Sequence, residues 1–365
     1  MSVLDQAKAR IGECILTGFA GKTLSDDTAA FLSQAGLGGV ILFKDNYADP
    51  AQLAELTKQV QECRGDLPFW VAADQEGGRV QRFQEPFTRL PTARAVGETG
   101  SPQMAFEVAR ICAAELKAVG VNLCFAPVCD INTNPKNPVI GDRAFGDTED
   151  LVSRMITASV RGYLMGGVQP CMKHFPGHGD TDKDSHFDLP RVSTPLATLR
   201  EREFRPFVRA SKSRCNMLMT AHILLPELDP EFPATLSPKI LKKILREELR
   251  YTRVIFSDDM EMKAVTEHYG EKAPVLALKA GCDALLYRSE AASRRAYEIL
   301  SKALENGELD PKSVLESVDR LRALKKSTLT PFEPPAPGAW KEVVGNPSHR
   351  EIIAKISPSA PTLST

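Results

Sequence analysis

Short apolar, β-branched runs recur along the chain, and longer amphipathic stretches fill the gaps between them. The runs lie at residues 17–19, 38–43, 69–74, 122–130, 168–175, 217–222, 254–258 and 284–287 and predict eight strands. The gaps carry helix starts. Asp49-Pro50, Ser101-Pro102, Thr194-Pro195 and Ser237-Pro238 each place a polar cap before proline at the first helical position, where a missing N–H costs nothing. They predict helices over 51–63, 104–118, 196–210 and 239–249. Continuous apolar strands alternating with amphipathic helices indicate a parallel sheet covered by helices. Eight such units suggest closure into a (β/α)8 TIM barrel, although an open, doubly wound α/β sheet carries the same alternation.

Polar residues end five of these runs: Asp74, Asp130, Lys173-His174, His222 and Asp258. In a (β/α)8 barrel the strand C-termini and the loops after them form the active face. A chain turns at the end of any strand, so one such residue means little. Five at the same end of different strands point to one shared pocket.

Length fits a barrel. The chain has 365 residues, and a (β/α)8 domain takes about 250 or more with insertions. We assign 1–327 to the catalytic barrel. Residues 328–365 form a C-terminal extension that begins with Pro331, Pro334, Pro335 and Pro337 and excludes regular structure there. Residues 341–356 could form a short helix, and 357–365 read as disordered.

Composition narrows the partners. With 46 basic and 47 acidic side chains the net charge is −1, so no basic excess favours nucleic acid or an anionic membrane. Eight cysteines without a C-x-x-C spacing read as buried thiols in a reducing compartment. Residues 1–21 lack the basic start and long apolar stretch of a secretory signal, and no apolar run approaches the roughly 20 residues of a membrane span. The expected location is the cytoplasm.

Four segments carry candidate chemistry. Residues 173–190, KHFPGHGDTDKDSHFDLP, hold three histidines and four aspartates in a loop directly after a strand. A metal site is one reading, but Pro176 and Gly177 break the helical spacing of His174 and His178. Acid–base chemistry is the other: Asp184 and His186 are two apart, so in an extended loop the carboxylate can face the imidazole and hold its tautomer. In the second segment, RVIFSDDMEMKA, a buried strand runs into Asp258 and Asp259. Asp258 suits a nucleophile toward an anomeric carbon, and Asp259 suits the cap of a helix starting near Met260. The third, ADQEGGRVQR, offers Asp74 as an acceptor and Arg82 as a donor for sugar hydroxyls, or Arg82 as a solvated surface charge. The fourth, NTNPKNPVIGDRAFG, presents Arg143 either as a fork of donors or as a loop-stapling ion pair with Asp142.

Together these segments resemble glycoside hydrolase family 3, and within it the NagZ-type β-N-acetylglucosaminidases. The matching strings appear in the family's order: GGVILF, DQEGGRV, FAPV, NPVIGDRAFG, KHFPGHGDT, DSH, PATLS and FSDDMEMKA. The resemblance implies a retaining exo-β-N-acetylglucosaminidase with Asp258 as nucleophile, His186 as general acid/base and Asp184 as its dyad partner. It places Asp74, Arg82, Arg143, Lys173 and His174 on the terminal sugar. The implied substrate is N-acetylglucosamine β-linked to 1,6-anhydro-N-acetylmuramic acid in muropeptide fragments, cleaved during peptidoglycan recycling. No cofactor or metal is expected, and the chain is expected to be a monomer. A β-glucosidase or β-xylosidase of the same family is the nearest alternative. Those enzymes usually draw their acid from a second domain, whereas this chain carries its own D-S-H loop. A sugar-binding barrel without activity would be expected to lack Asp258 or His186, and a metal-dependent hydrolase would respond to chelation. Hydrolysis and phosphorolysis both remain open to a histidine acid/base.

Overall fold

The computed structural model describes residues 1–181 and 189–356. Among the described residues ten strands form: β1 Ile15–Thr17, β2 Gly39–Leu42, β3 Trp70–Ala73, β4 Gln75–Gly77, β5 Val80–Gln81, β6 Leu123–Cys124, β7 Gln169–Phe175, β8 Met217–Thr220, β9 Val254–Asp259 and β10 Ala284–Tyr287. Eight of them close a parallel barrel in the order β1–β2–β3–β6–β7–β8–β9–β10, and β10 pairs back with β1. Most strand residues are buried because the sheet is filled from inside and covered by helices outside. The remaining two strands, β4 and β5, form an antiparallel hairpin directly after β3.

The fold is the (β/α)8 barrel expected from the alternation, with local departures. The first strand precedes its expected position and shares only Thr17 with it. The fourth barrel strand is only two residues long, because the chain leaves the sheet through Ala126-Pro127 and rejoins it at a single bridge between Val128 and Lys173. The 51–63 helix forms as Pro50–Glu62, with the Asp49 carboxylate accepting from the Gln52 amide at 2.9 Å. Ser101 makes no such cap, although its helix runs Pro102–Ala118. The expected 196–210 helix is two pieces, Leu196–Glu201 and Phe204–Lys212. Thr194 spends its hydroxyl on Asp180 at 2.6 Å instead of capping. The break comes at Arg202-Glu203, where Glu203 is buried and receives the Arg202 guanidinium at 2.6 Å. The 239–249 segment winds as a π-helix, Lys239–Glu248, with Ser237 Oγ accepting from the Ile240 amide.

After the helix Pro311–Thr328, the chain crosses the Pro-rich stretch and forms two short helices, Trp340–Val343 and Pro347–Ile353. The expected disordered tail lies outside the described residues. Seven of the eight thiols are buried, Cys63 is half-buried, and all eight are free.

Candidate active site

The C-terminal ends of the barrel strands surround a cavity of about 1020 Å3. Asp74, Arg82, Arg143, Lys173, His174 and Asp258 all line it. Asp184 and His186, the two remaining sequence-derived site residues, lie outside the described residues.

The hairpin explains how the 74–82 segment reaches the cavity. Asp74 follows β3, and the β4–β5 turn brings Arg82 back beside it, so that Arg82 Nη2 donates to Asp74 Oδ2 at 2.9 Å. The Gln75 side chain stitches the hairpin's mouth by accepting from the Arg82 and Phe83 amides. Glu76, one step further along the extended chain, faces the same way as Asp74. It takes both arms of Arg143 at 2.8 Å. Lys173, from β7, reaches between the two acids, 2.8 Å from Asp74 and 2.7 Å from Glu76. Arg82 is thus the partner of a cavity carboxylate rather than a free surface charge, Arg143 pairs across the cavity with Glu76, and Asp142 pairs with Arg79 instead.

This alternation of charge sets the protonation states. Burial alone would raise the Asp74 pKa, but Lys173 and Arg82 hold it well below the ordinary carboxylate range. Glu76 is likewise pushed up by burial and pulled down by Arg143 and Lys173, to about 2. Lys173 and Arg143 are raised in turn, burial opposing and the carboxylates prevailing.

A second buried acid organises β7. Asp130 is fully enclosed and accepts from His174 Nδ1 at 2.7 Å, from the His174 amide at 3.3 Å and from the His178 amide at 2.7 Å. On the other side of the ring, His174 Nε2 lies 3.4 Å from Arg143 Nη2. Burial would raise Asp130, and His174 brings it below its ordinary value. His178 bonds Thr181 through Nδ1 at 2.7 Å, and burial and the neighbouring His174 lower it to about 4.

The two adjacent aspartates of β9 are driven apart. Asp258 faces the cavity and accepts from the Asp259 amide at 2.8 Å. Burial would raise it, but His174 and His222 bring it below its ordinary value. Asp259 pairs with Arg288 and accepts from the Glu261 amide at 3.0 Å. Burial outweighs that pairing and pushes it up to about 6. Neighbouring carboxyls with opposite shifts are what assigns distinct roles to each. Asp259 does not cap a helix at Met260, because the helix begins at Lys263.

Glu76 is absent from the sequence-derived candidates, and Asp130 stands among them only as a polar strand end without an assigned role. Glu76 had a legible signal in its two-residue spacing from Asp74 on an extended segment. Asp130 ended a strand run, but its service to His174 depends on the departure of the chain at Ala126-Pro127. Among the described residues, no group of three or more His, Cys, Asp or Glu side chains is placed to hold a metal ion.

Residues 6–324 match the family model described as the glycosyl hydrolase family 3 N-terminal domain. β-Hexosaminidase A of Pseudoalteromonas piscicida is 33% identical over 385 residues, covering 98% of this chain and 64% of its own length. A family 3 β-N-acetylglucosaminidase from Paenibacillus sp. superimposes with a TM-score of 0.89 at 37% identity, over 96% of this chain and 68% of that one. NagZ from Neisseria gonorrhoeae, solved in complex with N-trifluoroacetyl-D-glucosamine, gives 0.77 at 29% identity, over 94% of this chain and 96% of its own. The chain therefore spans under two thirds of the first relative but nearly all of the last. With the family model matched almost from end to end of the barrel, this chain belongs to glycosyl hydrolase family 3.

Proposed function

We propose that the chain is a retaining exo-β-N-acetylglucosaminidase that removes terminal β-linked N-acetylglucosamine. One observation carries this reading: Asp258 is held ionised at a strand end beside the ion-paired Asp74–Lys173–Glu76–Arg143 array, in a cavity large enough for a sugar. Relatives named β-hexosaminidase and β-N-acetylglucosaminidase, and a NagZ bound to a glucosamine derivative, support the choice of sugar. Asp258 attacks the anomeric carbon while His186 protonates the leaving oxygen, and the glycosyl–Asp258 ester forms as the glycosidic bond breaks. His186 then takes a proton from the incoming acceptor, which opens the ester. Asp184 orients His186 and favours its charged form. Asp74, Arg82, Arg143, Lys173 and His174 hold the ring hydroxyls. The substrate is read as GlcNAc–1,6-anhydroMurNAc fragments of peptidoglycan recycling, handled in the cytoplasm by a monomer of 40.0 kDa. Among the described residues, no helix is long and apolar enough to cross a membrane.

The test is release of 4-nitrophenol from its β-GlcNAc and β-glucose conjugates by wild type and Asp258→Ala, with EDTA present. Selective GlcNAc cleavage that vanishes in the variant is expected. Preference for glucose would favour a β-glucosidase, a fully active variant would remove the nucleophile, and loss of wild-type activity with EDTA would restore the metal reading. The same assay across pH should give a bell. Its acid limb lies below the ordinary carboxylate value because Asp258 is lowered, and its alkaline limb follows the imidazole, whose unperturbed pKa is about 6.5. A rate flat from about pH 5 to 9 would count against the His186 assignment.

A further inference from the structure

Glu115 sits on the helix Pro102–Ala118, is 2% exposed, and lies outside the proposed sugar site. Four donors converge on its carboxylate. Two come from the loop behind the β4–β5 hairpin: the Thr88 amide at 2.8 Å and the Thr88 hydroxyl at 2.5 Å. Two come from the segment after the Pro-rich stretch: the Gly345 amide at 3.1 Å and His349 Nδ1 at 2.8 Å. A buried carboxylate needs such partners, and each one lost leaves an uncompensated acceptor. The two segments also touch directly. Gly345 has φ +67°, and a Cβ there would lie 2.1 Å from the Pro86 carbonyl oxygen.

Thr88 is tied forward to the cavity. The Gln81 side chain donates to the Thr88 carbonyl at 3.1 Å and accepts from the Leu90 amide at 3.0 Å. Gln81 is the last residue of β5 and immediately precedes Arg82, which bonds Asp74. We infer that Glu115 and His349 are positioning residues: the C-terminal segment, through His349–Glu115–Thr88–Gln81, sets the hairpin that aims Arg82 and Glu76 into the cavity. The effect on the sugar rests on the function proposed above. The relay itself does not.

The experiment compares full-length wild type, His349→Ala, His349→Gln and Thr88→Val. Kinetics use 4-nitrophenyl β-GlcNAc, and hydrogen exchange follows the amides of residues 75–91 without substrate. Loss of one relay hydrogen bond should raise KM by about three- to tenfold with kcat within about twofold. Exchange should quicken at 82–91 while the barrel strands keep their protection. His349→Gln, which retains a donor, should recover much of the KM. Thr88→Val removes one of the two Thr88 hydrogen bonds to Glu115, weakening the relay from its other side with little change of shape, and should move KM in the same direction. Unchanged KM and unchanged exchange in both His349→Ala and Thr88→Val would overturn the relay. So would exchange that rises across the whole barrel with kcat falling alongside, since that is loss of fold. If wild type cleaves no GlcNAc conjugate, the proposed activity fails, and the exchange comparison alone decides the relay.

Discussion

Lys173 is 2% exposed, yet its ammonium is the shared counter-charge of Asp74 and Glu76. Removing it leaves Asp74 to Arg82 and Glu76 to Arg143, each carboxylate short of one cation, and breaking a buried pair from one side typically costs up to about 3–5 kcal/mol. Lys173→Met should therefore lower the stability at pH 7 by that order, read by urea denaturation. The pH dependence has a defined sign. Asp74 and Glu76 are lowered on folding, so their contribution is complete above the ordinary carboxylate pKa. It drains away as pH falls from about 4.5 toward the folded values, about 2 for Glu76. His178 acts earlier: lowered from 6.5 to about 4, it withdraws stability as pH falls through that window. In Lys173→Met the carboxylate part of this acid loss should shrink without vanishing, because Arg82 and Arg143 still favour the ionised carboxyls. At this scale much was readable. Asp74, Lys173, His174 and Asp258 are polar residues where apolar runs stop. Arg82 and Arg143 could not be settled, because a charged side chain reveals its partner only when another segment is brought against it.

The β4–β5 hairpin was absent from the strand reading, since QEGGRVQ has neither the length nor the apolar content of a strand. It is held by side-chain amides, Gln75 and Gln81 bonding backbone from within, and no hydropathy pattern encodes that. The 196–210 helix broke for a similar reason: Glu203 is buried against Gly177, a contact set by the loop after β7. Where an element's form follows from its own period, as in Pro50–Glu62 or β7, the expectation held to within a residue or two. The loop carrying Arg143 offers a test. Gly97, on the helix Ala93–Glu98, lies so close that a Cβ would sit 1.7 Å from the Phe145 carbonyl oxygen. Gly97→Ala should push this loop outward and cost about 1–3 kcal/mol. It should also raise KM more than an equally destabilising substitution in Pro311–Thr328, since Arg143 moves with Phe145. Thermal melts and steady-state kinetics on the same samples check both parts.

The barrel was the most legible feature, because eight alternations of buried strand and amphipathic helix leave few other ways to cover every strand. Closure itself was not encoded locally. It rests on β10 meeting β1 across most of the chain, with Ile15 opposite Leu285 and Thr17 opposite Tyr287. Charge behaves differently at this scale from within the site. The whole-chain balance is near zero, −1, and the strong ion pairs of the cavity are internal. Turnover of a neutral glycoside should therefore change by less than about twofold between 0.05 and 0.5 M salt, because buried pairs are screened far less than exposed ones. A steep salt dependence would mean that an exposed charge, not the buried array, meets the substrate.

On the function proposed above, the Asp74–Lys173–Glu76–Arg143 array would also act as a stencil. Each head group is locked by its neighbours, so none can swing to follow a hydroxyl that points the other way. A ring with one hydroxyl inverted would leave a buried charge facing carbon, and sites of that kind discriminate by as much as 10⁴-fold or so, far beyond what an apolar pocket achieves. Comparing 4-nitrophenyl β-GlcNAc with its β-GalNAc epimer would measure that stiffness as stereochemical memory, with a large ratio for a rigid stencil and near-equal rates for a pliant one.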